Sequence, residues 1–158
     1  MMTIILFLLG TISTDSSKNY EQLTTDYFFE TIWKQNYKDF RVIEFDNKAD
    51  TSVYIGFIYS CEQWTNAEVK PIKELKELKR QKGISEIKLS KPSSVKVRTK
   101  KISDSRHLKL KVGTMIQLGD TYLVPFIVYE LREFVDNYFL KFDKYGRVID
   151  KCEIREIM

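Results

Sequence analysis

The rhythm of apolar and polar positions changes repeatedly along the chain, and each change predicts a different element. Tyr20, Leu23 and Tyr27, then Phe28, Phe29, Ile32 and Trp33, recur at three- and four-residue spacing. That spacing predicts a helix over residues 19–37 with a broad aromatic face laid across a sheet. Asn19, with Gln22 three positions later, has the makings of a weak capping box. Two β-rich runs follow, residues 40–45 and 52–61, separated by "DNKAD", whose Asn and Asp suit a hairpin turn. The second run is apolar on both faces, with Val53, Ile55, Phe57 and Tyr59 alternating against Tyr54 and Ile58. It reads as a central, doubly covered strand, in which Gly56 marks a bulge or a close approach.

"KPIKELKELKRQKG" returns to helical spacing. Pro71 fits the first helical position and Gly83 the C-terminal cap. Its apolar stripe is only Ile72, Leu75 and Leu78, which predicts a short basic helix at the periphery. From Ile84 onward the period is two. Val95 and Val97 alternate with Lys96, Arg98 and Lys100; after "SDS", Leu108, Leu110 and Val112 alternate with His107, Lys109 and Lys111. These segments read as an antiparallel hairpin with one face buried and one solvated. Its outward Lys and Arg would repel unless an acidic neighbour or partner compensates.

"TYLVPFIVYELREF" is apolar on both faces up to Tyr129 and should run through the sheet interior. Pro125 cannot donate to a ladder, so it should mark a bulge or a short unpaired stretch. "NYFLKFDKYGRVIDKCEI" is the clearest hairpin: Tyr138, Leu140 and Phe142 face one way, Gly146 takes the left-handed turn position, and Val148, Cys152 and Ile154 return. The expected architecture is one α+β domain over residues 19–158. Its antiparallel sheet of five to seven strands carries the aromatic helix on one face and the short basic helix at the edge.

The first residues add a location. Residues 3–12 are mostly apolar, too short to span a bilayer, and Thr11-Ile12-Ser13 is a small-x-small pattern. This predicts a signal peptide over residues 1–13, a mature form without a transmembrane span, and a periplasmic or extracellular destination. The stretch lacks the Lys or Arg usual ahead of such a core. In an exported protein, Cys61 and Cys152 suggest a disulfide whose long loop would stabilise by ~4 kcal/mol. Two buried free thiols are the other reading, because sequence alone does not say how closely the residues approach.

Composition narrows the chemistry. Aromatic residues at 13% and apolar residues at 43% supply a full core, and the net charge of +4 is unevenly placed. Residues 70 to 111 hold 15 Lys and Arg against 4 Asp and Glu; the rest of the chain holds 11 against 18. That asymmetry concerns partners rather than fold. The only histidine, His107, sits beside Arg106 on the polar side of its strand and reads as an exposed surface residue, so a nucleophile–histidine set lacks its base. Cys61, His107 and Cys152 lack the spacing of a zinc site, and no glycine loop for phosphate is present, so neither metal nor cofactor is expected. Glu130 ends the apolar face of Tyr122, Val124, Phe126 and Val128, where a carboxylate can line a pocket.

The closing "FDKYGRVIDKCEIREI" resembles the C-terminal hairpin of small exported proteins of unknown function from Bacteroidota, in which a Phe-Asp-x-x-Gly-x-Val turn recurs. The resemblance covers under a fifth of the chain and implies export, without implying a mechanism. The element order is also similar to that of cystatin-like and nuclear-transport-factor-like cones, an analogy of architecture.

The function expected from these features is a non-catalytic extracytoplasmic binding module whose basic face meets an acidic partner. Lys73, Lys76, Arg80, Lys96, Arg98, Lys100 and Lys109 would carry it, with Arg98 best suited to bidentate capture of a carboxylate, sulfate or phosphate. An acidic protein surface, an anionic glycan or a lipid headgroup fits. Nucleic acid does not, since residues 70 to 111 contain no Phe, Tyr or Trp ring to stack on a base. The alternative is a small pocket-bearing enzyme or ligand-binding protein closed by Tyr54, Phe126 and Glu130.

Overall fold

Asn19 starts the first helix as expected, its side chain accepting from the Gln22 backbone N–H at 2.9 Å. In this computed structural model, residues 18–53, 56–61, 64, 86–99, 107–130 and 134–157 are described. The α-helix α1, Tyr20–Tyr27, passes directly into a π-helical section, Phe28–Tyr37. The wider turn suits its apolar spacing: Phe28, then Ile32 and Trp33, then Tyr37 recur every four to five residues and are all buried. Tyr37, four residues after Trp33, continues that buried face, although the sequence pattern left it out.

Among the described residues the helix lies on a mixed seven-stranded sheet, β1 Val42–Glu44, β2 Lys96–Arg98, β3 His107–Val112, β4 Ile116–Leu118, β5 Thr121–Glu130, β6 Phe134–Asp143 and β7 Val148–Ile157. The strand order is β2-β1-β3-β5-β6-β7, with β4 continuing the ladder on β5 beyond β3. The α+β class holds, but the sheet is not purely antiparallel. β1 runs parallel to both β2 and β3, with Glu44 opposite Arg98 on one side and Lys109 on the other. The expected hairpin between β2 and β3 is therefore corrected: β1 separates them. Electrostatics favours the observed order, since an acid stands between two rows of bases that would otherwise face each other.

The expected strand over residues 52–61 is also corrected. Residues Gly56–Ser60 form a 3-10 helix, and Phe40–Phe45 pairs elsewhere, so no hairpin joins the two runs. Val53 packs with Ile127 and Val135, while Ile58, Cys61 and Trp64 pack with Ile116, Leu123, Phe139 and Cys152. Their apolar character serves as a cover for the sheet face opposite the helix. Cys61 and Cys152 are disulfide-bonded, with Cα atoms 5.8 Å apart. The expected basic helix lies outside the described residues.

The C-terminal half follows the pattern more closely. β5 is paired on both sides. Pro125 sits where β5 changes partner from β3 to β4, so its missing N–H removes no ladder bond. Its carbonyl accepts from Gly113 N–H at 2.7 Å, and a Cβ on Gly113 would come within 2.6 Å of the Pro125 ring. Gly146 turns the β6–β7 hairpin with φ of 81°. Ile149 is an extra residue between the Lys141–Asp150 and Phe142–Val148 pairs. That bulge reverses the facing of β7, so Val148 joins the helix-side core while Cys152 and Ile154 face the other way. They do not share a face as the simple alternation implied.

Candidate functional site

Alternation along a strand and register across strands place side chains on faces. Ile43, Leu108, Leu110 and Val112 belong to the core under the helix. Their neighbours Glu44, His107, Lys109 and Lys111 therefore occupy the opposite face. Lys96 and Arg98, in register with Val42 and Glu44, join them there. Three strands thus bring five basic residues onto one face around Glu44. Lys96 and Arg98 are exposed and make no ion pair among the described residues. Lys109 is held by Glu44, Nζ to Oε1 at 2.6 Å, and Lys111 by Asp50 at 3.1 Å. His107 is not the exposed residue its position suggested: its side chain is 18% exposed and its Nε2 lies 3.9 Å from Glu44.

A cleft of about 470 Å³ opens beside these lysines. It exists because β1 parts from β3 after Glu44, and the chain returns only at Asp50, whose N–H donates to Val112 O at 2.7 Å. Glu44, Asp46, Lys48, Asp50, Lys109 and Lys111 supply its charged lining, Thr51 and Thr99 its hydroxyls, and Phe45, Ala49 and Leu110 its apolar part. Burial works to raise the Asp50 carboxyl, but hydrogen bonds from Ser52 Oγ at 2.6 Å and Ser52 N–H at 2.8 Å, together with Lys111, outweigh it and hold the group below its ordinary value. The hydrogen bond from Lys111 to Asp50 raises the ammonium in turn, against a smaller effect of burial. Both groups are charged at neutral pH.

A second polar cluster lies on the helix side. Asp136 is fully buried on the same face as Tyr138, Leu140 and Phe142. Arg155, its cross-strand partner, donates to it through Nε at 2.6 Å and a terminal nitrogen at 2.7 Å. Tyr37 donates a short hydrogen bond to the same carboxylate, and its hydroxyl lies 3.0 Å from that of Tyr138, which donates to Glu153 at 3.2 Å. Burial, reinforced by Asp136, pushes the Tyr37 phenol far above its usual range, and burial does the same to Tyr138. Both remain protonated donors, so the cluster works as a clamp between helix and strands. Sequence reasoning missed it. The available signal was an aspartate on the apolar parity of β6, which demands a buried partner.

The other expected positions divide. Lys73, Lys76, Arg80, Lys100 and Tyr54 lie outside the described residues. Phe126 is sealed in the core at 1% exposure, stacked on Tyr138 at 4.7 Å. Glu130 is half-buried, 3.9 Å from Arg155, and neither it nor Phe126 lines the cleft. Among the described residues, no group of three or more His, Cys, Asp or Glu could hold a metal ion, and no helix is long and apolar enough to cross a membrane. Comparison with protein-family models, with curated proteins and with solved structures gives no match.

Proposed function

We propose that this protein is a non-catalytic extracytoplasmic binding module that meets an anionic partner with the open face of β2, β1 and β3. The carrying observation is the convergence of Lys96, Arg98, His107, Lys109 and Lys111 on one side of three adjacent strands. Arg98 and Lys96 stand at the sheet edge with their charges toward solvent. The Arg98 fork suits a carboxylate, sulfate or phosphate oxygen pair. An acidic glycan, an anionic headgroup and an acidic protein surface all present such groups. Export is supported by the apolar leader and by the disulfide, a bond that persists in oxidising compartments. No observation favours the enzyme reading built on Glu130.

The test is binding of dextran sulfate, a polyanion without carboxylates, across a salt series. Exposed charges are screened within ~10 Å at 0.1 M salt, so affinity should fall steeply as salt rises. The double variant Lys96→Glu, Arg98→Glu should abolish binding while leaving the thermal transition in place. Binding unaffected by salt and by the double reversal would remove the open face as the binding surface.

A further inference from the structure

The cleft differs from the face beside it in a way that selects a ligand. The face carries an excess of positive charge, but the cleft does not: Lys48, Lys109 and Lys111 are balanced by Glu44, Asp46 and Asp50. A densely anionic chain gains little by entering a site that also presents three carboxylates. The groups are, however, unequally committed. Asp50 already accepts from Ser52 twice and from Lys111, and Glu44 accepts from Lys109. These two acids act as clamps that orient the lysines, whose ammonium groups each carry three donors and so retain donors for a ligand.

Asp46 and Lys48 are exposed at the rim, without hydrogen bonds from their side chains among the described residues. Thr51 and Thr99 add two exposed hydroxyls, each able to donate and accept. The volume of about 470 Å³ is in the range of small-ligand sites, roughly 300–1,000 Å³. A matching ligand has one anionic group for the lysine pair and several hydroxyls for Asp46, Thr51 and Thr99. A bare anion leaves the hydroxyl-binding groups unused. An α-amino acid holds its ammonium beside its carboxylate, and so brings it toward the lysines.

We propose that this cleft binds a single hexuronate ring, free or as a residue of an acidic polysaccharide, with its carboxylate on Lys109 and Lys111 and its hydroxyls on Asp46, Thr51 and Thr99. The proposal rests on the anion-binding reading of the adjoining face and names the ligand class for its recessed end.

Saturation-transfer NMR on the full chain at low ionic strength distinguishes the cases, with glucuronate, a glucuronate-containing trisaccharide, glucose, acetate and glycine as probes. Glucuronate should respond, with glucose, acetate and glycine weaker by roughly tenfold or more, the worth of a charge-assisted hydrogen bond set. A trisaccharide that binds more tightly than glucuronate assigns a polymer residue; equal affinity assigns the free acid. Lys111→Gln should remove the glucuronate response, and Thr99→Ala, at an exposed site, should weaken it severalfold without changing the thermal transition. Acetate or glycine binding as well as glucuronate, or variants without effect, would overturn the assignment. Dextran sulfate separates the two proposals. If it binds and glucuronate does not, the cleft assignment falls alone; if neither binds, the reading of the face falls with it.

Discussion

The two faces of this sheet use the same kinds of residue to opposite ends. On the helix side, the buried carboxylate of Asp136 is enclosed by Arg155 and Tyr37, with the Tyr138 hydroxyl beside Tyr37 donating to Glu153. On the other side, Glu44 and Asp50 each hold a lysine, while Lys96 and Arg98 remain exposed without ion pairs among the described residues. The difference lies in what each arrangement leaves open. A buried charge must have its partners because low dielectric makes an unpaired ion costly. A partly exposed pair such as Lys111 with Asp50 is worth little, so its members can exchange one partner for another, whereas Glu44, itself buried, keeps Lys109 in place. The closed cluster therefore holds the fold, and the open one is suited to contact.

The comparison breaks most visibly where the open face is itself covered. Residues Gly56–Ser60 and Trp64 shield Phe139 and Leu123, and the disulfide ties that cover to β7. Cys61→Ala combined with Cys152→Ala frees a loop of 91 residues and should cost about 4 kcal/mol in denaturant unfolding on the chain-entropy model. A loss under 1 kcal/mol would show that the cover stands without its bond.

The closed cluster is the next point of attack. Arg155→Met keeps the aliphatic stem and removes the charge from above Asp136. Stranding a buried carboxylate costs about 3–5 kcal/mol; because the Arg155 side chain is 49% exposed, a loss of about 2–3 kcal/mol is expected. Urea unfolding measures it, and dextran sulfate binding should be unchanged. A neutral effect on stability would mean that water already compensates Asp136.

The open pair should behave in the opposite manner. Asp50→Asn should shift stability by less than about 1 kcal/mol at neutral pH, as exposed pairs do. Its signature is in the pH profile. The folded Asp50 carboxyl lies below its ordinary value of 3.8, so its contribution is present above that pH and is lost as pH falls through the folded value. Wild type should therefore lose stability below about pH 4 more steeply than Asp50→Asn. Parallel acid limbs would show that Ser52 and Lys111 together do not hold the Asp50 carboxyl down in solution.

Much of the helix face was legible because its signals are local. The aromatic spacing from Tyr20 to Trp33, the Asn19 cap and the Gly146 turn each depend on residues a few positions apart. The insertion of β1 between β2 and β3 was not legible. A three-residue strand leaves almost no period to detect, and its parallel partners lie more than fifty residues away. Residues 52–61 misled for another reason: β-branched and aromatic side chains fit a strand, but here they cover one. At the candidate site, alternation correctly set Lys96, Arg98 and Lys109 outward. It could not show that Glu44 would come between them, or that the chain's departure after Glu44 would open a cleft.

The most direct test of the division between the faces is a backbone amide shift map of the folded protein titrated with dextran sulfate. Perturbations should be largest at Lys96 and Arg98 and smaller at Glu44, Lys109 and Lys111, which line the cleft, leaving Tyr37, Asp136 and Arg155 unmoved. The largest shifts at the Tyr37–Asp136–Arg155 cluster, with β1 to β3 silent, would contradict the assignment of contact to the open face.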